Sequence, residues 1–185
     1  GLRFLLQALA LLREQYPDLK LLVVGRLQSG GATEKLLEEL DLASSVRFVS
    51  GISNREMVEH YAASGMVVCP SLYEGFGLPA GEAMACGVPV ISSDGGALPE
   101  VVGDAGIVVP AGDGGALARA IERVLSDDTL RETLGAAGRR RIEDQFSWRV
   151  AAGHLVSYYR EIMGESGNVH SRNTEASAPV RVSAP

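Results

Sequence analysis

The sequence predicts an α/β protein, a parallel, doubly wound, Rossmann-like sheet with helices following it at the carboxy-terminal end. Three observations carry that prediction. Short, mainly apolar runs recur at 21–24, 46–49, 66–69, 90–92 and 107–109, and the continuous one at 21–24 is as expected of a strand covered on both faces. The segments between them place apolar residues at helical spacing. After Asp113 the short runs cease and only helical stripes continue. Strands alternating with helices require crossover connections, and therefore a parallel sheet.

The elements justify this in order. Leu2, Leu5, Leu6, Leu9 and Leu12 repeat on one buried face, and Pro17-Asp18 closes that helix. The strand Leu21–Val24 ends at Gly25-Arg26, a short helix covers 34–42, and the strand Val46–Val49 ends at Gly51. Ser53 and Glu56 have the spacing of a capping box for a helix through Ala63, with Met57, Val58 and Tyr61 inward. The strand at 66–69 stops at Pro70, which has no N–H to give a ladder. A turn through Glu74-Gly75-Phe76-Gly77 leads into a helix from Leu78 to Cys86. Pro79 sits in its first turn and Gly87 ends it as a left-handed cap. A strand at 90–92, the tight loop Asp94-Gly95-Gly96, a turn of helix after Pro99 and the strand Ile107–Val109 complete the sheet. Beyond it, Leu117, Ile121, Val124 and Leu125 line one helix and Leu130 and Leu134 begin another. Trp148, Ala151, Ala152, Leu155, Tyr159 and Ile162 form a third stripe, read as packing, with Ser147 as its N-cap. A doubly wound domain opens on a strand that lies mid-sheet. This one opens on the helix that should follow it; either the sheet closes up without a central strand or, the preferred reading, the residues are a piece of a longer chain.

The totals narrow the function classes. At 185 residues and 46% hydrophobic the chain is long and apolar enough for a real core. A net charge of −6 excludes an extended nucleic-acid surface, and the one basic cluster, Arg139-Arg140-Arg141, reads as a solvated helix face. Cys69 and Cys86 lie in apolar settings without metal-ligand spacing, which fits a reducing, cytoplasmic compartment. No stretch is long enough to span a bilayer and none reads as a signal peptide, which leaves peripheral association with the inner membrane face open. His60, His154 and His170 show no partner spacing, so neither a metal nor a cofactor is expected.

The stretch from Pro70 to Pro89 carries the chemistry. A glycine-flanked turn entering a helix leaves backbone N–H groups unpaired and a partial positive charge at its mouth, a place where anions bind. Glu74 precedes that helix and Glu82 lies in its second turn. Amides for phosphate beside carboxylates for hydroxyls suit a sugar nucleotide. The plainer alternative is that Glu82 complements the helix dipole and Glu74 is an ordinary loop acid.

The run Ser71-Leu72-Tyr73-Glu74-Gly75-Phe76-Gly77-Leu78-Pro79, followed by Glu82-Ala83-Met84-Ala85-Cys86-Gly87-Val88-Pro89-Val90-Ile91, resembles the signature of the retaining glycosyltransferases of family four, whose GT-B fold faces two Rossmann-like domains across a cleft. The glutamate, seven residues, glutamate spacing is met by Glu74 and Glu82. Gly95-Gly96-Ala97-Leu98-Pro99-Glu100-Val101-Val102 and Phe146-Ser147-Trp148 extend the likeness over residues 1–163. The resemblance implies one half of a GT-B fold, a nucleotide-sugar-binding domain with its carboxy-terminal helices at 1–163; the tail at 164–185, where periodicity gives way to serine, alanine, proline and asparagine, reads as disordered. It implies that Glu74, as the catalytic residue, contacts the transferred sugar near the reacting carbon, and that Glu82 accepts hydrogen bonds from the ribose. The amides of Phe76, Gly77 and Leu78 would face the diphosphate, and Gly25, Arg26, Gly51 and Ile52 the base. The implied partners are a nucleotide-sugar donor, an acceptor that is a sugar, a lipid or another small molecule, and the amino-terminal GT-B domain. No nucleic acid and no metal is implied. The family's donor-phosphate arginine and lysine, and its acceptor-binding domain, have no counterpart in these residues, and Gly81 replaces a bulkier apolar residue. The expectation is millimolar affinity for a sugar nucleotide, about −4 kcal/mol, and no catalysis by these residues alone.

Two other classes compete. A non-catalytic nucleotide-binding or interaction module would need no amino-terminal domain. A glycoside hydrolase would use the two carboxylates about 5–9 Å apart, but has little use for a phosphate-type helix terminus.

Overall fold

The computed structural model describes residues 1–164, so the tail expected at 164–185 lies, but for its first residue, outside the described residues. The strands are β1 (Leu21–Val24), β2 (Val46–Val49), β3 (Val67–Cys69), β4 (Val90–Ser93) and β5 (Ile107–Val109). The helices are α1 (Leu2–Leu12), α2 (Ala32–Glu39), α3 (Asn54–Ala62), α4 (Leu78–Ala85), α5 (Leu98–Val102), α6 (Gly114–Ser126), α7 (Asp128–Arg141) and α8 (Trp148–Ile162). A 3₁₀ turn at Gly103–Ala105 follows α5, and a π turn at Ile142–Phe146 ends α7. The residues fall into two units, Gly1–Ser147 and one that begins at Trp148.

All strand pairs are parallel, as the alternation requires. Leu21 pairs with Val46, Val67 with Val90, and Ile91 with Ile107. The ladder is in two parts, β1-β2 and β3-β4-β5, and among the described residues none joins β1 to β3. That division explains a departure from the sequence reading. β4, paired on both sides, is buried at every position, its two serines included, whereas β1, apolar throughout, is half-buried and Val24 is 46% exposed. An apolar run marks a strand suited to the interior of a parallel sheet; β1 and β3 each have a neighbour on one side only.

Helices cover both faces. Consecutive residues of a strand point to opposite sides, so Ile91 joins Leu5, Ala8 and Leu12 of α1 and Leu117, Ile121 and Val124 of α6, while Val90 joins Ala80, Ala83 and Met84 of α4 and Leu98 and Val102 of α5. A second face of α1, with Leu6 and Leu9, packs with Leu37, Leu42 and the β1-β2 ladder. One helix therefore spans both parts of the sheet, which its two-sided leucine pattern allows. Each fully buried Leu or Met contributes about 1.5–3 kcal/mol relative to exposure.

Local chemistry sets several boundaries. Ser53 Oγ accepts from the Glu56 N–H at 3.3 Å and Glu56 Oε2 accepts from the Ser53 N–H at 2.7 Å, the capping box the sequence predicts. The Ser53 N–H first, then the Ser53 hydroxyl, which also donates to Glu56 Oε2 at 2.7 Å, hold the Glu56 carboxyl below its ordinary pKa. Asp113 and Asp127 cap α6 and α7 through their side chains. Gly87 takes φ 74° after α4, the left-handed cap expected there. Val58, expected inward, is 53% exposed, because the buried face of α3 turns on Tyr61. In α8, Trp148, Leu155, Tyr158, Tyr159 and Ile162 are exposed where a packed stripe was expected.

Candidate functional site

The carboxyl ends of parallel strands leave a row of loops along one edge of the sheet, and ligands of doubly wound folds bind there. Gly25 and Arg26 follow β1, Gly51 and Ile52 follow β2, the 70–77 turn follows β3, and Asp94 to Gly96 follow β4. The groove lined by Gln15, Tyr16, Pro17 and Leu125 lies where the chain enters β1, at the opposite edge.

The turn after β3 is held by a stack of polar contacts. Ser71 Oγ donates to Glu74 Oε2 at 3.0 Å, fixing one carboxylate oxygen. Beneath it, Ser93, 1% exposed, donates its hydroxyl to the Ser71 carbonyl and accepts from the Gly95 N–H at 3.3 Å. The Ala97 N–H donates to the Glu74 carbonyl at 2.9 Å. Gly96, at φ 67°, faces the Glu74 backbone so closely that a Cβ there would overlap it. The Gly95-Gly96 pair is thus the floor on which the 71–74 segment rests.

The turn enters α4 through Gly77, whose φ of 92° is left-handed and costs a side chain strain. A Cβ at Gly77 would stand 2.7 Å from Leu98 Cδ2. Gly77 itself is buried. Ala80 and Gly81 are the first residues of α4 to donate within the protein, both to the Gly77 carbonyl, at 3.0 and 3.1 Å. Among the described residues, the N–H groups of Gly75, Phe76, Gly77 and Leu78 donate to no protein acceptor. Phe76 and Leu78 are exposed. An open amide row at a helix start favours negative charge.

Glu82, exposed in the second turn of α4, accepts at Oε2 from the Tyr61 hydroxyl at 3.0 Å. Burial first, then that hydrogen bond, raise the Tyr61 pKa above its ordinary value. Burial and the Glu74 charge push the Cys69 thiol up to about 11. At the carboxyl ends of β1 and β2, Gly51 is exposed at φ 71°, Arg26 is exposed, Gly25 donates to the Val49 carbonyl at 2.7 Å, and Gly25 and Gly51 have open space where a Cβ would lie. Among the described residues no three His, Cys, Asp or Glu side chains gather to hold a metal ion.

Sequence reasoning missed several contributors. Tyr61 reads as core, and nothing local reveals the role of its hydroxyl. Ser71 and Ser93 are 22 residues apart; the available signal was the serine pair Ser92-Ser93 ending a strand that begins Val90-Ile91, since buried hydroxyls need partners. Arg141, read as part of a solvated face, turns inward instead: its Nε donates to the Val101 carbonyl at 2.8 Å and its Nη2 to the Glu100 carbonyl at 2.7 Å. The carbonyls ending a helix attract a cation, and this draws one arginine of the three out of solvent.

The model of the family described as glycosyl transferases group 1 matches residues 1–141. An MMP alpha-(1->4)-mannosyltransferase of Mycolicibacterium hassiacum is 42% identical over 165 residues, 87% of this chain and 40% of that protein. The structure of a sucrose-phosphate synthase from Thermosynechococcus elongatus superposes with a TM-score of 0.74 at 36% identity, covering 90% of this chain and 44% of the other. A carboxy-terminal domain of a glycosyl transferase group 1 family protein from Francisella tularensis gives 0.71 at 28% identity and 80% coverage of both chains. The chain thus spans about two fifths of its curated relative's length. With the two-sided parallel sheet, the glutamate pair and the open helix mouth already in place, the conclusion is that the chain belongs to the group 1 glycosyl transferases, as the carboxy-terminal domain of their GT-B fold.

Proposed function

We propose that this chain is the donor-binding half of a retaining glycosyltransferase that moves a hexose from a nucleoside-diphosphate sugar to a hydroxyl acceptor. The observation that carries the reading is the open amide row Gly75–Leu78, flanked by Glu74 and Glu82. The row receives the diphosphate. Glu74, one oxygen held by Ser71, offers the other to the sugar's hydroxyls near the reacting carbon. Glu82, oriented by Tyr61, accepts from the ribose, and the space over Gly25, Arg26, Gly51 and Ile52 takes the base.

The chemistry is then electrostatic. As the bond between the sugar carbon and the phosphate oxygen breaks, negative charge collects on the diphosphate, and preorganised N–H donors stabilise it there. The acceptor oxygen bonds to the same carbon on the face the diphosphate leaves and gives its proton to the departing phosphate oxygen, so the configuration is retained. The protein's further contribution is orientation of the sugar. A helix terminus supplies only about half a charge against about two on a diphosphate, so full affinity calls on cations beyond this row, and the acceptor calls on the facing domain. No metal or other cofactor has a place in this scheme, and a cytoplasmic enzyme with peripheral access to the inner membrane face would meet both nucleotide sugars and lipid acceptors.

Glu82→Gln tests the reading by calorimetry. It should weaken a nucleoside diphosphate by about tenfold, the worth of a charge-assisted hydrogen bond, and leave inorganic pyrophosphate unchanged. Equal loss for both ligands would return Glu82 to a helix-dipole role.

A further inference from the structure

The amide row is carried by a glycine-rich turn, yet one of its members is clamped from outside. Phe76 meets Phe146 edge to face, with ring centroids 5.9 Å apart and planes 77° apart, the geometry aromatic quadrupoles favour. Phe146 closes the π turn Ile142–Phe146. Such a turn takes one residue more than an α turn, which rotates the following side chain by about 100° from its α-helical direction.

The other side of Phe146 is also fixed. The Arg141 Cζ lies 5.8 Å from its ring centroid, and that guanidinium is itself held by the Glu100 and Val101 carbonyls, with Asp104 Oδ1 at 3.8 Å. Gly103, at φ 53°, makes room for it: a Cβ there would come 2.6 Å from Arg141 Cζ. At its start the π turn leans on α4, where Ile142 Cδ1 lies 3.8 Å from the place a Gly81 Cβ would take. One end of the π turn thus touches the body of α4 and the other touches the turn that leads into it.

Resting on the donor-site reading above, we propose that Phe146 is a positioning residue for the amide row, setting the Phe76 and Gly77 N–H groups through its edge contact with Phe76 against the fixed Arg141 guanidinium. It makes no contact with donor atoms; its effect passes through Phe76.

The test uses ¹⁵N spectra of the 185-residue chain and inorganic pyrophosphate as the probe. Phe146→Ala and Phe76→Ala should each weaken pyrophosphate binding by about two- to tenfold, the worth of an aromatic pair. The double variant should be no weaker than either single one, because residues acting through one contact are not additive. In the ligand-free chain, Phe146→Leu, which keeps an apolar side chain in place, should lower the amide order parameters of 75–78 and leave those of β4 unchanged. A structural role alone would lower the melting temperature and move neither readout. Unchanged order parameters in Phe146→Leu, or multiplied losses in the double variant, would overturn the proposal. Absence of any pyrophosphate shift at 75–78 in the unaltered chain would overturn the donor-site reading instead, with the order parameters still deciding the role of Phe146.

Discussion

The Tyr61 hydroxyl donates to Glu82 Oε2 at 3.0 Å, tying the buried face of α3 to an exposed carboxylate 21 residues further along the chain. A lone glutamate in a helix's second turn samples several rotamers. This one is held by a side chain only 8% exposed, so its free oxygen faces a set direction.

Removing that hydroxyl should cost orientation more than stability. Tyr61→Phe is expected to lower stability by about 1 kcal/mol, since Glu82 can rehydrate, and to weaken nucleoside-diphosphate binding in calorimetry. The pH dependence has a definite sign. The folded pKa of Tyr61 is raised above its ordinary 10.0, by burial and then by Glu82. The stability this adds is fully present below pH 10 and is lost as pH climbs through the folded value. Absorbance titration should show one phenol ionising late, and Tyr61→Phe should remove that step. A titration unchanged in the variant would contradict the assignment.

Gly77 and Gly81 are four residues apart and predict opposite outcomes. Gly77→Ala forces a side chain into φ 92° and against Leu98 Cδ2 at 2.7 Å, and should destabilise by about 1–3 kcal/mol. Gly81 is mid-helix, where a Cβ would meet Ile142 Cδ1 at 3.8 Å and Val101 Cγ1 at 4.0 Å, ordinary contact distances. Gly81→Ala should stabilise by about 0.5–1 kcal/mol. Urea titration of both variants checks the pair; a stabilised Gly77→Ala would mean that the turn is not built as described.

Ser92 gives a third prediction. Its Oγ is fully buried and has no hydrogen-bond partner among the described residues, while neighbouring Ser93 is fully engaged. A buried unpaired hydroxyl costs about 1–3 kcal/mol, so Ser92→Ala should raise the melting temperature and Ser93→Ala should lower it. A fall in both would show that Ser92 has a partner.

What the sequence made legible was local. The bounds of β1 and β2, the Ser53–Glu56 capping box and the left-handed Gly87 all follow from residues within a turn of one another, where periodicity and capping chemistry operate. The open mouth of α4 followed from glycines and a proline at fixed offsets. What stayed hidden was long-range. Tyr61 reaching Glu82, Ser93 supporting Ser71, and Arg141 closing the end of α5 each join positions with no shared period. The exposure of Val24 was not legible either, because an apolar run looks the same whether or not a neighbour pairs with it.

The central claim is that the amides at the mouth of α4 seat a diphosphate. It is tested most directly by ¹⁵N chemical-shift titration of the 185-residue chain with UDP-, GDP- and ADP-sugars. At least one of them should shift the amides of Phe76, Gly77 and Leu78 more than any others, saturating with a Kd of about a millimolar, near −4 kcal/mol. Shifts confined to other parts of the chain, with the amides of 75–78 unmoved at saturation, would contradict it.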